Sequence, residues 1–138
     1  MKTKSVKSIK KKLWELVKQF IRKRDGPVCY TCGKGGLEGS NWQTGHFIPS
    51  SVGGAVLRYH PINLAIQCYF CNINAGGNGS IFCLKMLEKY GLEYVNKLRN
   101  MKPNMQFKAD ILFYENMIVL YKYGNEENIV KYLESLTV

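Results

Sequence analysis

The sequence predicts an α+β protein in which short strands and loops lie between helical segments at either end. Two observations support this fold class. Apolar residues recur at helical spacing before residue 25 and after residue 80, whereas residues 26–80 are rich in Gly, Pro, Asn and Cys and lack that spacing. The chain has 138 residues, 46% hydrophobic and 22% charged, which is typical of one folded domain. We therefore expect a single domain over residues 1–138, made of segments 1–25, 26–80 and 81–138.

The first segment is predicted to be a basic amphipathic helix. Its apolar positions have helical spacing from Ile9 onward, and the helix is expected to end near Arg24. Ten Lys or Arg residues and two acids place +8 of the net charge of +10 in residues 1–25. This charge favours a polyanionic partner, either nucleic acid or an anionic membrane surface, although a lysine-rich face can also be simply solvated. The candidate DNA-binding residues are Lys10, Lys11, Lys12, Lys18, Arg22, Lys23 and Arg24.

Two cysteine pairs in the middle segment predict a metal site. No apolar run approaches the about 20 residues that span a bilayer, and charges interrupt the apolar positions after the basic start, so we expect no secretory signal and a reducing, cytosolic setting. In that setting Cys29-x-x-Cys32 and Cys68-x-x-Cys71 read as ligands rather than disulfides. Four thiolates form a closed tetrahedral site for a structural Zn²⁺. The alternative is a set of buried thiols.

The strands of the middle segment are expected on either side of a Gly-rich loop. The stretch from Asn41 to Ile48 is the first predicted strand, and it carries His46. The stretch from Ala55 to Tyr59 is the second. We expect this segment to consist of short strands and loops around the metal.

Helical spacing returns after Ser80. One helical unit is expected to be broken at Gly91 and to end at Pro103. Two more helices are predicted, over about Met105–Tyr121 and Glu126–Leu136. The fifth cysteine, Cys83, has helical spacing with Leu84, Leu87 and Tyr90, and is expected to pack in the core.

The order of His46, Asn63 and Asn72 resembles the His-Asn-Asn form of the HNH, or ββα-metal, nuclease finger. Longer strings make the resemblance more specific. Phe20-Ile21-Arg22-Lys23-Arg24-Asp25, Trp42-x-x-Gly45-His46-Phe47, Leu57-Arg58-Tyr59, Gln67-Cys68-x-x-Cys71-Asn72 and Gly77-Asn78 are similar to the NinG (Rap) recombination nuclease family of lambdoid phages. The similarity runs from about Ile9 to Leu98.

The resemblance implies a zinc-stabilised ββα-metal finger that hydrolyses phosphodiester bonds in DNA, with branched recombination intermediates such as Holliday junctions as substrates. His46 would be the general base, since its ordinary pKa lies near neutrality. Asn63 would pin the loop that orients His46, and Asn72 would bind a catalytic Mg²⁺ or Mn²⁺ through its amide oxygen. Arg58 would clamp a phosphate. A phage-encoded chain would act in the host cytoplasm.

The sequence also departs from that family pattern. HNH fingers commonly carry Asp directly before the base, and NinG-like proteins carry Asp three residues before it; these positions are Gly45 and Gln43. We place Gln43 on the same strand face as His46 and treat it as a candidate ligand of the catalytic cation. Family histidines are replaced by Ala65 and Asn74, and no Asp or Glu occurs between Glu38 and Glu88.

Three functions therefore stay open. The first is a metal-dependent DNA endonuclease. The second is a zinc-finger DNA-binding protein, derived from an HNH nuclease, that has lost its catalytic ligands. The third is a basic membrane-surface protein, which leaves the motifs unexplained. DNA is the expected partner without membrane involvement, a homodimer is an open alternative, and His60 is expected to be a loop histidine rather than a ligand.

Overall fold

The first helix, α1 (Val6–Asp25), forms where the sequence predicts it. The computed structural model describes residues 5–138, so residues 1–4 of the predicted basic segment lie outside the described residues. The side chain of Ser5 caps α1 by accepting a hydrogen bond from the Ser8 amide at 3.2 Å. The buried face consists of Ile9, Leu13, Val17 and Ile21. Basic residues in the last turn favour the negative end of the helix dipole.

Two short strands form the sheet that carries the candidate site. Strand β1 (Gln43–His46) lies within the predicted 41–48 stretch and carries His46, as expected. It pairs antiparallel with β2 (Leu64–Gln67), with Gln43 opposite Gln67 and His46 opposite Leu64. Every residue of β2 is buried. The predicted α+β class is therefore correct, and the structure shows that the sheet is small and antiparallel.

The prediction of a second strand at Ala55–Tyr59 is wrong, because these residues lie mostly in helix α2 (Ser50–Arg58). A short apolar run cannot be assigned to strand or helix by periodicity alone. Gly54 interrupts α2 with a φ of 70°, a left-handed conformation that glycine adopts without strain. The strand that pairs with β1 starts after a 3₁₀ turn at Pro61–Asn63. A single π-helical turn at Phe70–Asn74 follows β2, so the middle segment contains more helix than expected.

The C-terminal helices are α3 (Gly79–Arg99), α4 (Ile111–Tyr123) and α5 (Glu126–Ser135). The predicted break at Gly91 is present as a kink with a φ of 84°. Helix α4 begins later than Met105 because the Asp110 side chain caps it, accepting from the Phe113 amide at 3.0 Å. Asn125 and Asn128 form a reciprocal capping box at the start of α5.

Two apolar clusters hold these elements together. One joins the buried face of α1 to β2, α4 and α5, and the other packs Ala65 of β2 against Phe82 and Met86 of α3. Cys83 is only half-buried, and its predicted core neighbour Leu84 is exposed. The prediction that Cys83 and Leu84 face the core is therefore wrong for this turn of α3, whose buried residues are Phe82 and Met86. No helix within residues 5–138 is both long enough and apolar enough to cross a membrane.

Candidate functional site

The four predicted zinc ligands come together in space. The sulfur atoms of Cys29, Cys32, Cys68 and Cys71 all lie within 4.8 Å of one another, and the two sulfurs of Cys32 and Cys68 are 3.8 Å apart. A tetrahedral zinc with Zn–S bonds near 2.3 Å separates its sulfur ligands by about 3.8 Å. Three of the four cysteines are buried and Cys32 is exposed. This cluster could therefore hold a zinc ion.

Local backbone geometry prepares both cysteine pairs for a metal. The amide of Cys32 points to Cys29 Sγ at 3.5 Å, and the amide of Cys71 points to Cys68 Sγ at 3.4 Å. Such N–H groups stabilise thiolates, because hydrogen bonds to the charged form favour it. The first pair ends in a tight turn at Gly33, whose φ is 81°. The site thus joins the loop after α1 to the turn after β2.

Asn63 pins the segment between β1 and α2. Its buried side chain accepts a hydrogen bond from the Ile48 amide at 2.8 Å and donates to the carbonyls of Ile48, at 3.0 Å, and Leu57, at 2.9 Å. The Phe47 amide donates to the backbone carbonyl of Asn63 at 2.8 Å. Both ends of the loop that follows His46 are therefore fixed to one side chain.

His46 is held by the backbone and by an aromatic ring. Its Nε2 lies 3.1 Å from the carbonyl oxygen of Arg58, and its ring stacks on Trp14 of α1 with centroids 5.5 Å apart. A carbonyl oxygen only accepts hydrogen bonds, so Nε2 carries the proton and Nδ1 keeps the free lone pair. Burial lowers the pKa of His46, and the hydrogen bond to Arg58 partly offsets this. The imidazole is therefore neutral near pH 7.

The expectation that Gln43 shares a strand face with His46 is wrong. Side chains alternate along a strand, so residues three apart point to opposite faces. Gln43 and Gly45 occupy one face, where the Gln43 Oε1 atom accepts a hydrogen bond from the Asn72 amide at 2.8 Å. His46 faces Trp14 on the other. The two positions at which carboxylates are expected therefore share the face that meets Asn72.

Gly45 has a steric reason to lack a side chain. A Cβ atom at this position would overlap the side-chain Oε1 of Gln67. Gln67 is buried and donates from Nε2 to the Gly77 carbonyl at 2.8 Å and to Thr31 Oγ1 at 3.2 Å. Gln67 thus fills the space that a carboxylate before His46 would occupy.

The residues proposed from the sequence as ligands of a second cation are neutral amides. Gln43 and Asn72 are in direct contact, and residues 39–87 contain no carboxylate. Mg²⁺ is held by oxygen ligands and usually keeps several waters. Asn72 Oδ1 can serve such an ion as a weak protein ligand, whereas Gln43 Oε1 already accepts from the Asn72 amide and would offer only its second lone pair. Substrate phosphate and water would supply the other ligands.

Arg58 lies beside His46, but its backbone carbonyl makes the contact. Its guanidinium stands over the rings of Trp14 and Tyr59, at 5.9 and 5.8 Å. The Nε atom is buried, and no hydrogen-bond partner for it occurs among residues 5–138. The side chain is thus close to the candidate base.

A cleft of about 300 Å³ lies between α1 and the start of β1. Lys18 and Arg22 line one wall, and Gln43 and Asn72 line the other. The guanidinium of Arg22 is fixed there, because it stacks 4.6 Å from the Trp42 ring and donates to the Trp42 carbonyl at 2.7 Å. Candidate DNA-binding residues and candidate cation ligands therefore line the same cleft, which we call the basic cleft.

The other predicted DNA-binding residues lie in three environments. Lys11, Lys12 and Lys23 are exposed on α1, and Lys10 is half-buried with its Nζ over the Tyr114 ring. Arg24 points inward. It donates to the carbonyls of Pro61 and Leu64 and pairs with Asp25 and Glu126. Arg24 therefore fastens α1 to β2 and α5 and is not available for a phosphate.

Three features of this region are absent from the sequence-based candidates. Trp14 and Trp42 line the basic cleft, and aromatic residues 69 and 70 stand exposed between two cysteines. Trp14, Lys18 and Arg22 have a spacing of four residues, which places them on one helix face and could have identified this wall of the cleft from the sequence.

The predicted loop residue His60 caps the 3₁₀ turn from a buried position, accepting from the Ile62 amide at 3.2 Å.

Comparisons with known proteins support the resemblance found in the sequence. The family described as Bacteriophage Lambda NinG protein matches residues 1–128. The chain is 29% identical to protein ninG of Escherichia phage lambda and to protein ninG of Salmonella phage P22, in each case over 91 residues, 65% of this chain and 43% of the relative. The matched part thus spans less than half of each relative's length. No solved structure gives a significant match. The chain belongs to the NinG family.

Proposed function

We propose that this chain is a metal-dependent DNA endonuclease of the HNH type that cuts branched recombination intermediates. The observation that carries the proposal is the hydrogen bond between His46 Nε2 and the Arg58 carbonyl. It leaves Nδ1 of a neutral imidazole as a proton acceptor, which is the state that a general base needs. The order of elements supports it too: β1 with His46, a loop pinned by Asn63, β2, and a helical turn with Asn72.

The residues divide into three roles. His46 accepts a proton from the attacking water, while the Arg58 carbonyl and the Trp14 ring hold its imidazole in place. Asn63 pins the segment that follows His46. Lys18 and Arg22 bind phosphates along the basic cleft. Asn72 and Gln43 line the basic cleft on the face of β1 opposite His46, and Trp14 of that cleft stacks on the His46 ring. Asn72, with Gln43 beside it, would hold Mg²⁺ or Mn²⁺, which would supply positive charge to a phosphate bound in the cleft.

A cleavage assay tests this proposal. The purified 138-residue chain is incubated with supercoiled plasmid and with a four-way junction, in Mg²⁺ or Mn²⁺. We expect cleavage by the wild type and its loss in His46→Ala and Asn72→Ala, with zinc content and DNA binding unchanged. Asn96→Ala is the matched control, since Asn96 is an exposed asparagine of α3, away from the candidate site. Cleavage that survives in His46→Ala refutes the assigned base.

The second candidate is a zinc-finger DNA-binding protein without catalysis. Two observations favour it: Gln67 fills the carboxylate position at Gly45, and residues 39–87 have no acid. This function predicts wild-type binding to junction and plasmid DNA with no cleavage of either substrate in Mg²⁺ or Mn²⁺. The same assay therefore decides between the two functions.

A further inference from the structure

Three exposed apolar side chains lie close together at the second cysteine pair. Tyr69, Phe70 and Ile73 are 49%, 66% and 53% exposed. Tyr69 and Phe70 are the two residues between Cys68 and Cys71, and Ile73 follows on the same π-helical turn. Single exposed apolar residues are common at protein surfaces, but a group of them usually marks a contact site.

The backbone beneath these side chains is firmly held. The Tyr69 amide donates to Asn41 Oδ1 at 2.8 Å, and the Asn72 amide donates to the Cys68 carbonyl at 3.0 Å. The Ala75 amide donates to the Phe70 carbonyl at 2.8 Å. Aromatic side chains have only two rotatable bonds, so a ligand that binds them immobilises little. The two rings form a preorganised surface, which we call the aromatic tip.

The aromatic tip adjoins the basic cleft. Asn72, on the same turn as Phe70, lines that cleft opposite Lys18 and Arg22. Asn41, which binds the Tyr69 amide, directly precedes Trp42 of the cleft wall. Positive charge next to exposed rings is the combination that binds single-stranded nucleic acid, since the charges follow the phosphates and the rings stack on bases. An apolar protein partner would leave the neighbouring cations without counter-charges.

We propose that Tyr69 and Phe70 stack on unpaired nucleobases and so direct this chain to nucleic acid with splayed or single-stranded nucleotides. The bases of a continuous duplex cover one another's faces and offer no surface to these rings, whereas bases at a branch or in a single strand do. This inference deepens the proposed function, because it rests on nucleic-acid binding by the basic cleft. It does not depend on cleavage.

Binding measurements without added Mg²⁺ or Mn²⁺ test the inference. Fluorescence anisotropy compares oligo(dT) with a duplex of the same length. We expect Phe70→Ala to weaken oligo(dT) binding about tenfold, and duplex binding by less than about twofold. Phe70→Trp keeps a ring and should retain the affinity, whereas Phe70→Leu keeps apolar bulk without a ring and should lose it. Tyr123→Ala is the matched control, since Tyr123 is 77% exposed at the end of α4.

A spectroscopic readout separates stacking from other contacts. A single strand that contains 2-aminopurine should lose fluorescence on binding the wild type and keep it on binding Phe70→Ala at saturating protein. Zinc content reports that each variant is folded. If Phe70→Ala weakens binding to oligo(dT) and to the duplex equally, or weakens neither, the inference is overturned and the proposed function still stands. Absence of DNA binding by the wild type overturns both.

Discussion

At Gly45, a neighbouring side chain excludes any larger residue from the strand position before His46. The common HNH pattern places a carboxylate directly before the His46 position, but the Gln67 side chain occupies that space. We expect Gly45→Asp to lower the free energy of unfolding by about 2 kcal/mol, because it overpacks a buried site. Gly35→Asp is the matched control, since nothing lies within 4 Å of a Cβ atom there. Urea denaturation measures both, and equal stability of the two variants would contradict this steric explanation.

The burial of His46 sets its response to pH. Its pKa lies below the ordinary 6.5, because burial disfavours the charged imidazolium. The neutral imidazole therefore persists as the pH falls through 6.5. If His46 acts as the proposed general base, cleavage should be lost only below that pH. Trp14→Ala removes the stacked ring and should move the His46 pKa upward toward 6.5. NMR titration of the imidazole protons measures this shift without an activity assay, and a pKa at or above 6.5 in the wild type would contradict it.

The Arg24 side chain joins α1 to β2 and α5. Its guanidinium donates to the Pro61 and Leu64 carbonyls at 2.7 and 2.6 Å, and it pairs with Glu126 of α5 at 3.2 Å. Arg24→Met leaves these acceptors without a partner, so we expect a loss of about 3 kcal/mol in unfolding free energy. Lys23→Met, at the exposed neighbouring position, should change it by less than about 0.5 kcal/mol. Thermal or urea unfolding that treats the two alike would contradict this role.

The cysteine pairs tie two other elements together, the loop after α1 and the turn after β2. We expect about one zinc per chain by elemental analysis, because four clustered thiolates bind Zn²⁺ with an apparent free energy of roughly 10 kcal/mol or more. Chelation of that zinc, or Cys68→Ser, should destabilise the loop after α1 and the turn after β2, because the zinc would join these two segments, whereas β2 itself is buried in the apolar clusters. Cys83→Ser, at a half-buried cysteine outside the cluster, should keep the zinc. Folded wild-type protein without zinc would end this interpretation.

The sequence predicts the long elements of this fold better than the short ones. Helix α1 has four buried residues at helical spacing and distinct ends, so its bounds are nearly correct. Strand β2 has four buried residues and no alternation, which is why its apolar run could not be distinguished from the run that forms α2. In α3 the glycine at position 91 predicts the kink, but the helical spacing does not show that Phe82 and Met86 form the buried face. Tertiary packing decides that choice.

For the whole molecule, motif spacing predicts which residues gather but not how they face one another. The four cysteines cluster as expected, because each pair sits on its own turn. The contact between Gln43 and Asn72 depends on strand register and on the turn after β2, and neither is visible in the sequence. The inward position of Arg24 has the same origin. Charge counts alone make Arg24 and Lys23 equivalent, and only the fold separates them.

Salt dependence tests the proposal that the exposed face of α1 binds DNA. Lys11, Lys12 and Lys23 are exposed there, and each phosphate contact contributes about 0.9 to the slope of log affinity against log salt concentration. Their joint substitution by alanine should therefore reduce that slope by about 2 to 3 and weaken binding to all sequences alike. The matched control replaces Lys89, Lys102 and Lys131, three exposed lysines outside α1, and changes the net charge equally. Anisotropy titrations at several salt concentrations compare the two. An equal fall in slope would mean that overall charge, and not this helix face, binds the DNA.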